Sequence, residues 1–155
     1  MKITKKITDI KIVAKLTPNV TNIADIALAS QEAGADAIAM INTFSGMAVD
    51  PFAMQPILGN INGGVSGPAI KPMALKAVFD SYKKIKVPII GIGGIIKATD
   101  VAEFMLCGAS AVQIGTGNLV NPKLHPEILK DFNHYLEKQN LNAAELTGLL
   151  HRKAG

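Results

Sequence analysis

The fold of this chain is constrained most strongly by four short apolar segments. Each is followed by a segment of helical character, in one case after a long loop. The predicted strands are Ile10–Leu16, Ala37–Asn42, Val87–Ile92 and Ala111–Ile114. The nearly continuous apolar run of Ala37–Asn42 is typical of a parallel strand that is buried on both faces. The order βα, β-loop-α, βα, βα therefore predicts an α/β fold with a parallel sheet and right-handed crossovers.

The helices between these strands have recognisable ends. Thr21 or Asn22 can cap the first helix, which runs to about Ala33 and ends at Gly34. The later helices are predicted over Pro68–Lys84, Thr99–Leu106 and Pro126–Gln139, with a short one over Asn142–Leu150. Four βα units follow from this count.

Two architectures accommodate four parallel βα units. One is half of a (β/α)₈ TIM barrel, which takes about 250 residues when complete, and the other is a small doubly wound open sheet. Gly93-Gly94 and Gly115-Thr116 directly follow the third and fourth strands. They favour the barrel, because the last two βα loops of barrels commonly hold a phosphate through backbone N–H groups. We expect residues 1–155 to form a single half-barrel domain.

The composition excludes several classes of protein. Sixteen Lys and Arg against twelve Asp and Glu give a formal charge of +4, but Trp is absent and the few aromatic residues are scattered, which argues against nucleic-acid binding. No run of 18 apolar residues is present, so we expect no transmembrane helix. The single cysteine, Cys107, cannot form a disulfide within the chain, and we expect a reducing cytoplasm. Cys107 fits a buried packing role better than that of a nucleophile, and the three histidines match no metal motif.

The stretch between residues 43 and 67 breaks the βα pattern. It is rich in glycine and proline and is long for a βα connection, and such loops are usually functional or disordered. Met54–Leu58 is predicted to form a short strand within it. The run Asn62–Ala69 combines glycines, a hydroxyl and a proline-started helix, which suits either an anion cradle or a flexible loop.

Polar residues occur where the first two predicted strands end. Lys15 lies in an otherwise apolar strand, where it either extends to solvent or faces an anionic ligand at the carboxyl end of the sheet. Asn42 and Thr43 follow the second strand, where they form either a local turn or a site for a planar polar ligand.

Five of these motifs together resemble the dihydroorotate dehydrogenases. They are Val13–Val20, Met40–Thr43, Gly64–Pro72, Ile89–Ile95 and Ala109–Thr116, and they occur in the family's order. The chain is most similar to cytosolic catalytic subunits that partner an iron–sulfur flavoprotein and pass electrons to NAD. The resemblance covers only the C-terminal half of the family's barrel.

The resemblance implies a role for individual residues. Lys15 would contact the flavin ring of FMN near its N1/O2 edge, and Asn42 and Thr43 would bind the pyrimidine substrate. The remaining FMN contacts would come from Ile41, Gly67, Gly93, Gly94, Gly115 and Thr116, the last four around the phosphate. The implied reaction is oxidation of dihydroorotate to orotate in pyrimidine biosynthesis.

One departure from the family pattern concerns catalysis. The family's catalytic cysteine lies on a loop of the N-terminal half, and Cys107 does not match that motif, so no catalytic residue is assigned. The resemblance thus implies an FMN-binding half that is inactive alone and works with an N-terminal half. The alternative is a non-catalytic half-barrel that self-associates and binds a phosphate-bearing ligand.

Overall fold

The computed structural model describes residues 2–153, so the predicted domain range of 1–155 extends beyond the described residues at both ends. Its strands are β1 (Val13–Leu16), β2 (Ala37–Met40), β3 (Phe44–Met47), β4 (Val49–Asp50), β5 (Gln55–Pro56), β6 (Asn62–Val65), β7 (Ile89–Ile92) and β8 (Ala111–Gln113). Its helices are α1 (Lys2–Ile7), α2 (Ile23–Glu32), α3 (Lys71–Tyr82), α4 (Ala98–Leu106), α5 (Thr116–Val120), α6 (Leu124–Gln139), α7 (Ala143–Leu146) and α8 (Leu149–Lys153).

The four predicted strands form one parallel sheet in the order β1-β2-β7-β8. Each crossover moves to the next position in the same direction, and right-handed crossovers that all advance in one direction place their helices on the same face. A doubly wound sheet needs a reversal of strand order, which this sheet lacks. The four-stranded sheet with its helices is thus half of a TIM barrel, as predicted.

The core lies between the sheet and its helices. Ile38 and Ile89 are fully buried beneath Val78 of α3 and Phe104 of α4, within one continuous apolar cluster. Gly91 of β7 allows Phe104 to approach closely, because a Cβ at that position would lie 2.5 Å from the phenyl Cδ1. This packing fixes α4 against the middle of the sheet.

The opposite face of the sheet is uncovered along its two edge strands in residues 2–153, whereas Ala39 of β2 is buried on that face. In β1, Ala14 and Leu16 are buried against the helices, whereas Val13 and Lys15 point away and are exposed. In β8, Ala111 and Gln113 are likewise exposed. Within the described residues β1 and β8 each pair with a single neighbour, so both edges of the sheet are open. Parallel sheets are normally covered on both faces.

The segment after β2 is expected from the sequence to be a long loop, but it contains regular strand pairs. It forms two antiparallel pairs, β3 with β6 and β4 with β5, and the strand predicted at Met54–Leu58 is only the two-residue β5. Glycines hide the strand pattern, because Gly46 opposes Gly63 and Ser45 opposes Gly64 in the β3–β6 register. With no side chain at three positions, the ladder has little of the alternation from which strands are predicted.

The helix predicted to begin at Pro68 also begins differently. Pro68–Ile70 form a 3₁₀ turn, and α3 starts at Lys71 with Pro72 in its first turn. Proline fits there because it has no N–H to donate. The short helices α1 and α5 have no counterpart in the prediction. Across residues 2–153 we find no helix with the length and apolar character that a bilayer span requires.

Asp36, just before β2, ties the amino-terminal end of the sheet to the preceding segment. Its carboxylate accepts hydrogen bonds from Lys5 Nζ at 2.5 Å, from the Ile12 N–H at 2.8 Å and from Lys11 Nζ at 3.2 Å. The bond from Lys5, then those from Ile12 and Lys11, hold the pKa of Asp36 well below its usual range. A carboxylate whose pKa is lowered by folding stabilises the folded state above its unfolded pKa, and this stabilisation is lost as pH falls.

We predict that Asp36→Asn lowers the thermal unfolding midpoint at pH 7. The difference from the wild type should shrink progressively below about pH 4, where the unfolded carboxyl becomes protonated. Thermal melts at pH 7 and pH 3 measure it. Asp80→Asn, which breaks the exposed Lys76–Asp80 pair, is the control and should have little effect. A difference for Asp36→Asn that grows towards low pH contradicts the prediction.

Candidate functional site

A cleft of about 550 Å³, open to solvent, lies at the carboxyl ends of the parallel strands. Nine of the residues around it are those predicted as site residues: Lys15, Ile41, Asn42, Thr43, Gly67, Gly93, Gly94, Gly115 and Thr116. They converge because the carboxyl ends of parallel strands meet at one edge of a sheet, where α/β proteins bind ligands.

Two glycine turns form one wall of the cleft by direct contact. Gly94, after β7, has a φ of +71°, and a Cβ there would lie 2.8 Å from the carbonyl oxygen of Gly67 and 2.9 Å from Lys71 Cβ. Gly67 itself has a φ of +89°. The backbone after β7 can therefore lie against the turn before α3 only because position 94 has no side chain.

The wall offers backbone N–H groups to the cleft. The N–H groups of Gly94 and Ile95 have no protein acceptor among residues 2–153, and those of Thr116 and Gly117 lie in the first turn of α5, where no intrahelical acceptor exists. Backbone N–H groups exposed by glycine turns are suited to bind an anion. The cleft therefore has the donor chemistry of a phosphate site.

Ser66, which was not predicted as a site residue, connects two sides of the cleft. The Thr116 hydroxyl donates a hydrogen bond to Ser66 Oγ at 2.8 Å. This bond joins the end of the β3–β6 excursion to the turn after β8, although the two residues are 50 positions apart in sequence. Ser66 lies within the glycine-rich run Asn62–Ala69, but its hydrogen bond with Thr116 depends on the tertiary fold.

Asn19 positions Thr43. Its Nδ2 donates to the carbonyl oxygen of Thr43 at 3.1 Å, and its Oδ1 accepts from the Ser45 N–H at 2.9 Å. The Thr43 side chain packs beneath Gly64, where a Cβ would lie 2.5 Å from Thr43 Oγ1. The Asn42 N–H donates to the carbonyl oxygen of Leu16 at 2.8 Å. The polar pair after β2 is thus held from both adjoining segments.

Lys15 brings a cation to the cleft from β1. Its side chain is on the uncovered face of the sheet and lines the cleft. No carboxylate of the described chain lies within 4 Å of its Nζ, unlike the paired lysines at positions 5, 71 and 84. Its charge is therefore available to a ligand. Of the two interpretations of Lys15, this geometry favours the one in which it faces the cleft.

Other lining residues escaped prediction. Gln113 of β8 points into the cleft from the uncovered face, and the alternation of that strand could have identified it. Apolar walls come from residues whose sequence pattern indicates only a core: Ile70, Ile92, Ile95, Ile96 and Ile114. A planar apolar ligand with polar edges fits such a lining.

Cys107 and the histidines lie outside the cleft lining. Cys107 is buried in the helix-side core, and burial, with a smaller contribution from Glu103, raises the pKa of its thiol. This confirms the predicted packing role, since the thiolate is the nucleophilic form. His125 contacts Asn118, and His151 stacks on Phe79. The described residues contain no cluster of three or more metal-ligating side chains.

We predict that Gly94→Ala destabilises the fold, because Ala would need a positive φ and would clash with Gly67. The cost should be about 1–3 kcal/mol in the free energy of unfolding. Gly59→Ala is the matched control, since a Cβ there meets no atom within 4 Å, and it should change that free energy by less than about 0.5 kcal/mol. Urea unfolding measures both variants. Equal stability of the two contradicts the packing described for Gly94.

Known proteins provide an independent comparison. The family model described as dihydroorotate dehydrogenase matches residues 1–136. Three curated relatives are each named "Dihydroorotate dehydrogenase B (NAD(+)), catalytic subunit". The one from Carboxydothermus hydrogenoformans is 49% identical over 96% of this chain, that from Desulforamulus reducens 49% over 97%, and that from Caldicellulosiruptor saccharolyticus 48% over 94%.

The match covers only part of these relatives. It spans 48%, 50% and 50% of their respective lengths, so the chain spans about half the length of the curated relatives it matches. This share agrees with a sheet of four strands that is half of a TIM barrel. The matched family model, the level of identity and the fold agree with the resemblance found in the sequence: the chain belongs to the dihydroorotate dehydrogenase family.

Proposed function

We propose that this chain provides the FMN-phosphate site and part of the substrate site of an enzyme that oxidises dihydroorotate to orotate in pyrimidine biosynthesis. The observation that carries the proposal is that all nine residues implied by the family resemblance surround one cleft. The chain is inactive by itself in this proposal, because the catalytic base lies on a part of the enzyme outside it.

The cleft fits the chemistry of FMN. Gly93, Gly94, Gly115 and Thr116 would hold the phosphate, since glycine turns there leave N–H groups without a protein acceptor and a Cβ at Gly94 would push the Gly67 turn away. Ile41 and Gly67 would contact the remainder of the cofactor alongside the apolar walls. Space at Gly115 supports this fit, because a Cβ there would meet no atom within 4 Å.

Lys15 would lie at the edge of the flavin ring near N1 and O2. Bound FMN supplies the redox chemistry by accepting a hydride from dihydroorotate. An ammonium without a carboxylate partner favours the negative charge of a reduced flavin beside it, because opposite charges stabilise each other strongly in a partly enclosed site. Its position on the uncovered face of β1 supports this role.

Asn42 and Thr43 would bind the pyrimidine. An amide offers both a donor and an acceptor, and a hydroxyl offers either, which suits the alternating N–H and C=O groups of a pyrimidine ring. The hydrogen bonds between Asn19 and the Thr43–Ser45 segment hold the backbone of Thr43, and the bond from the Asn42 N–H to Leu16 holds that of Asn42, which supports this role. The side chains would therefore orient the substrate without further ordering of that segment.

Turnover would require a second half-barrel. Cys107 is buried away from the cleft and cannot take the place of the base. The uncovered sheet face and the open edges of β1 and β8 support an N-terminal half as the partner that completes the cleft. The names of the relatives specify NAD(+) and a catalytic subunit, which supports a further subunit in electron transfer. The family resemblance implies that this subunit is an iron–sulfur flavoprotein.

A second candidate function rests on the same open edges. Two copies of this chain would pair edge to edge, because parallel strands at both margins present unpaired N–H and C=O groups. Such an assembly would bind a phosphate-bearing ligand without oxidising dihydroorotate. Sedimentation of the purified chain distinguishes the two: a stable dimer that gains no activity from an N-terminal half favours this candidate.

We predict that the purified chain retains FMN through gel filtration and that Gly115→Leu weakens this binding by about tenfold. A leucine would fill the open space in the cradle, and such overpacking costs about 1–3 kcal/mol. Flavin fluorescence titration measures the affinity. Gly59→Leu, at an equally open glycine outside the cleft lining, is the control. A wild-type chain with no FMN affinity, alone or with an N-terminal half, overturns the proposed function.

We further predict that this chain, combined with the N-terminal half of the Carboxydothermus hydrogenoformans relative, oxidises dihydroorotate. In that complex Asn42→Ala should weaken orotate binding by about tenfold or more, because a buried polar group of the ligand loses its partner. FMN content, measured by absorbance, should stay within about twofold of the wild type. Equal loss of orotate affinity and flavin content argues that Asn42 serves folding instead.

A further inference from the structure

A buried ion pair lies directly behind the two glycine turns of the cleft. Asp100 of α4 is 1% exposed, and its Oδ1 accepts a hydrogen bond from Lys71 Nζ of α3 at 2.6 Å. Lys71 Nζ also lies 2.7 Å from Glu103 Oε2. Neither Lys71 nor Asp100 lines the cleft, so both contact it only through the turns in front of them.

The side chain of Asp100 holds the turn after β7 through the backbone N–H groups of that turn. Its Oδ2 accepts hydrogen bonds from the N–H groups of Ile96 at 2.9 Å and Lys97 at 3.1 Å. Ile96 lines the cleft and follows Gly94 and Ile95, whose N–H groups have no acceptor among the described residues and would bind the phosphate. Fixing Ile96 and Lys97 therefore fixes the end of the segment that carries those donors.

Lys71 connects Asp100 to the second glycine turn, the one at Gly67. It is the first residue of α3, four positions after Gly67, and its Cβ is one of the atoms nearest to Gly94. Through the Lys71–Asp100 pair, α3 and α4 keep the Gly67 turn and the Gly94 turn in contact. An ordinary helix cap would explain only the bonds to Ile96 and Lys97, not the lysine from a second helix.

The charges of the pair are compensated internally. Burial opposes the charged form of Lys71, but Asp100 and Glu103 outweigh it and raise its pKa. Burial likewise opposes the Asp100 carboxylate, but Lys71 and the Ile96 N–H outweigh it and lower its pKa. Lys71 is therefore committed to two carboxylates and is not a cation for the phosphate, which leaves the backbone N–H groups as the donors near this turn.

We propose that Asp100 and Lys71 are positioning residues that set the preference of this cleft for a phosphorylated flavin over an unphosphorylated one. The inference rests on the proposed FMN site. It goes beyond that site, because neither residue lines the cleft and both act through the turns that carry the donors around the phosphate. The flavin ring contact that Lys15 would provide comes from β1 and is independent of the pair.

The ratio of riboflavin to FMN dissociation constants isolates this effect. Riboflavin lacks only the phosphate, so general loosening of the cleft changes both constants and leaves their ratio unchanged. Groups that orient ligating atoms from behind typically contribute about ten- to a hundredfold in affinity at metal sites. We expect Asp100→Asn to lower the ratio by about tenfold and Lys71→Met to lower it in the same direction.

Asp36→Asn is the matched control. Asp36 also accepts a backbone N–H and two lysine ammonium groups, but it lies at the opposite end of the strands. It should therefore reduce stability without changing the ratio. Fluorescence titrations of the full chain with each flavin, on variants whose circular dichroism shows a folded chain, provide the measurement. If Asp100→Asn does not fold, Lys71→Met decides, since it leaves the carboxylate and its backbone bonds in place.

The outcomes separate the inference from the proposed function. A lower ratio in every folded variant of Asp100 and Lys71, with no change in the Asp36 variant, supports the positioning role. An unchanged ratio in a folded variant overturns it while leaving the FMN site intact, as does an equal fall in the Asp36 control. If the wild-type chain shows no preference for FMN over riboflavin, the phosphate site itself is disproved and both proposals are overturned.

Discussion

The sequential order of the four parallel strands is the constraint on which the rest of this structure depends. Because every crossover advances in one direction, the helices share one face and the carboxyl ends of the strands share one edge. Lys15, Asn42, Gly93 and Gly115 are far apart in sequence, yet each follows or ends a strand at that edge. The strand order alone brings these residues together. The site also needs a close fit between the turns, which position 94 provides by having no side chain.

The sequence could predict those features whose signal is local. Apolar runs of strand length and the glycines after them predicted the sheet, and the motifs of the family predicted nine of the residues around the cleft. The β3–β6 ladder escaped because Gly46, Gly63 and Gly64 remove the alternation that identifies a strand. The 3₁₀ turn before α3 escaped because Pro68 is equally suited to a first helical turn.

Contacts between distant segments account for most of what could not be predicted in the site. In the sequence, Asp100 is only a first-turn acid of a helix, and Lys71 only a lysine beside a proline. Their pairing across 29 positions depends on how α3 and α4 pack on the sheet. The bonds of Asn19 to the Thr43–Ser45 segment and of Ser66 to Thr116 have the same character. Such pairs become visible only once the fold has brought their elements together.

The two buried or half-buried aspartates that each bind lysines and backbone N–H groups lie at opposite ends of the sheet. Asp36 joins the segment before β1 to the amino-terminal end, whereas Asp100 stands behind the cleft at the carboxyl-terminal end. One such aspartate thus lies at the end of the sheet remote from the cleft, and the other lies behind the cleft. Protein engineering can exploit this distance: substitutions around Asp36 change the stability of the sheet at the end where no described residue lines the cleft.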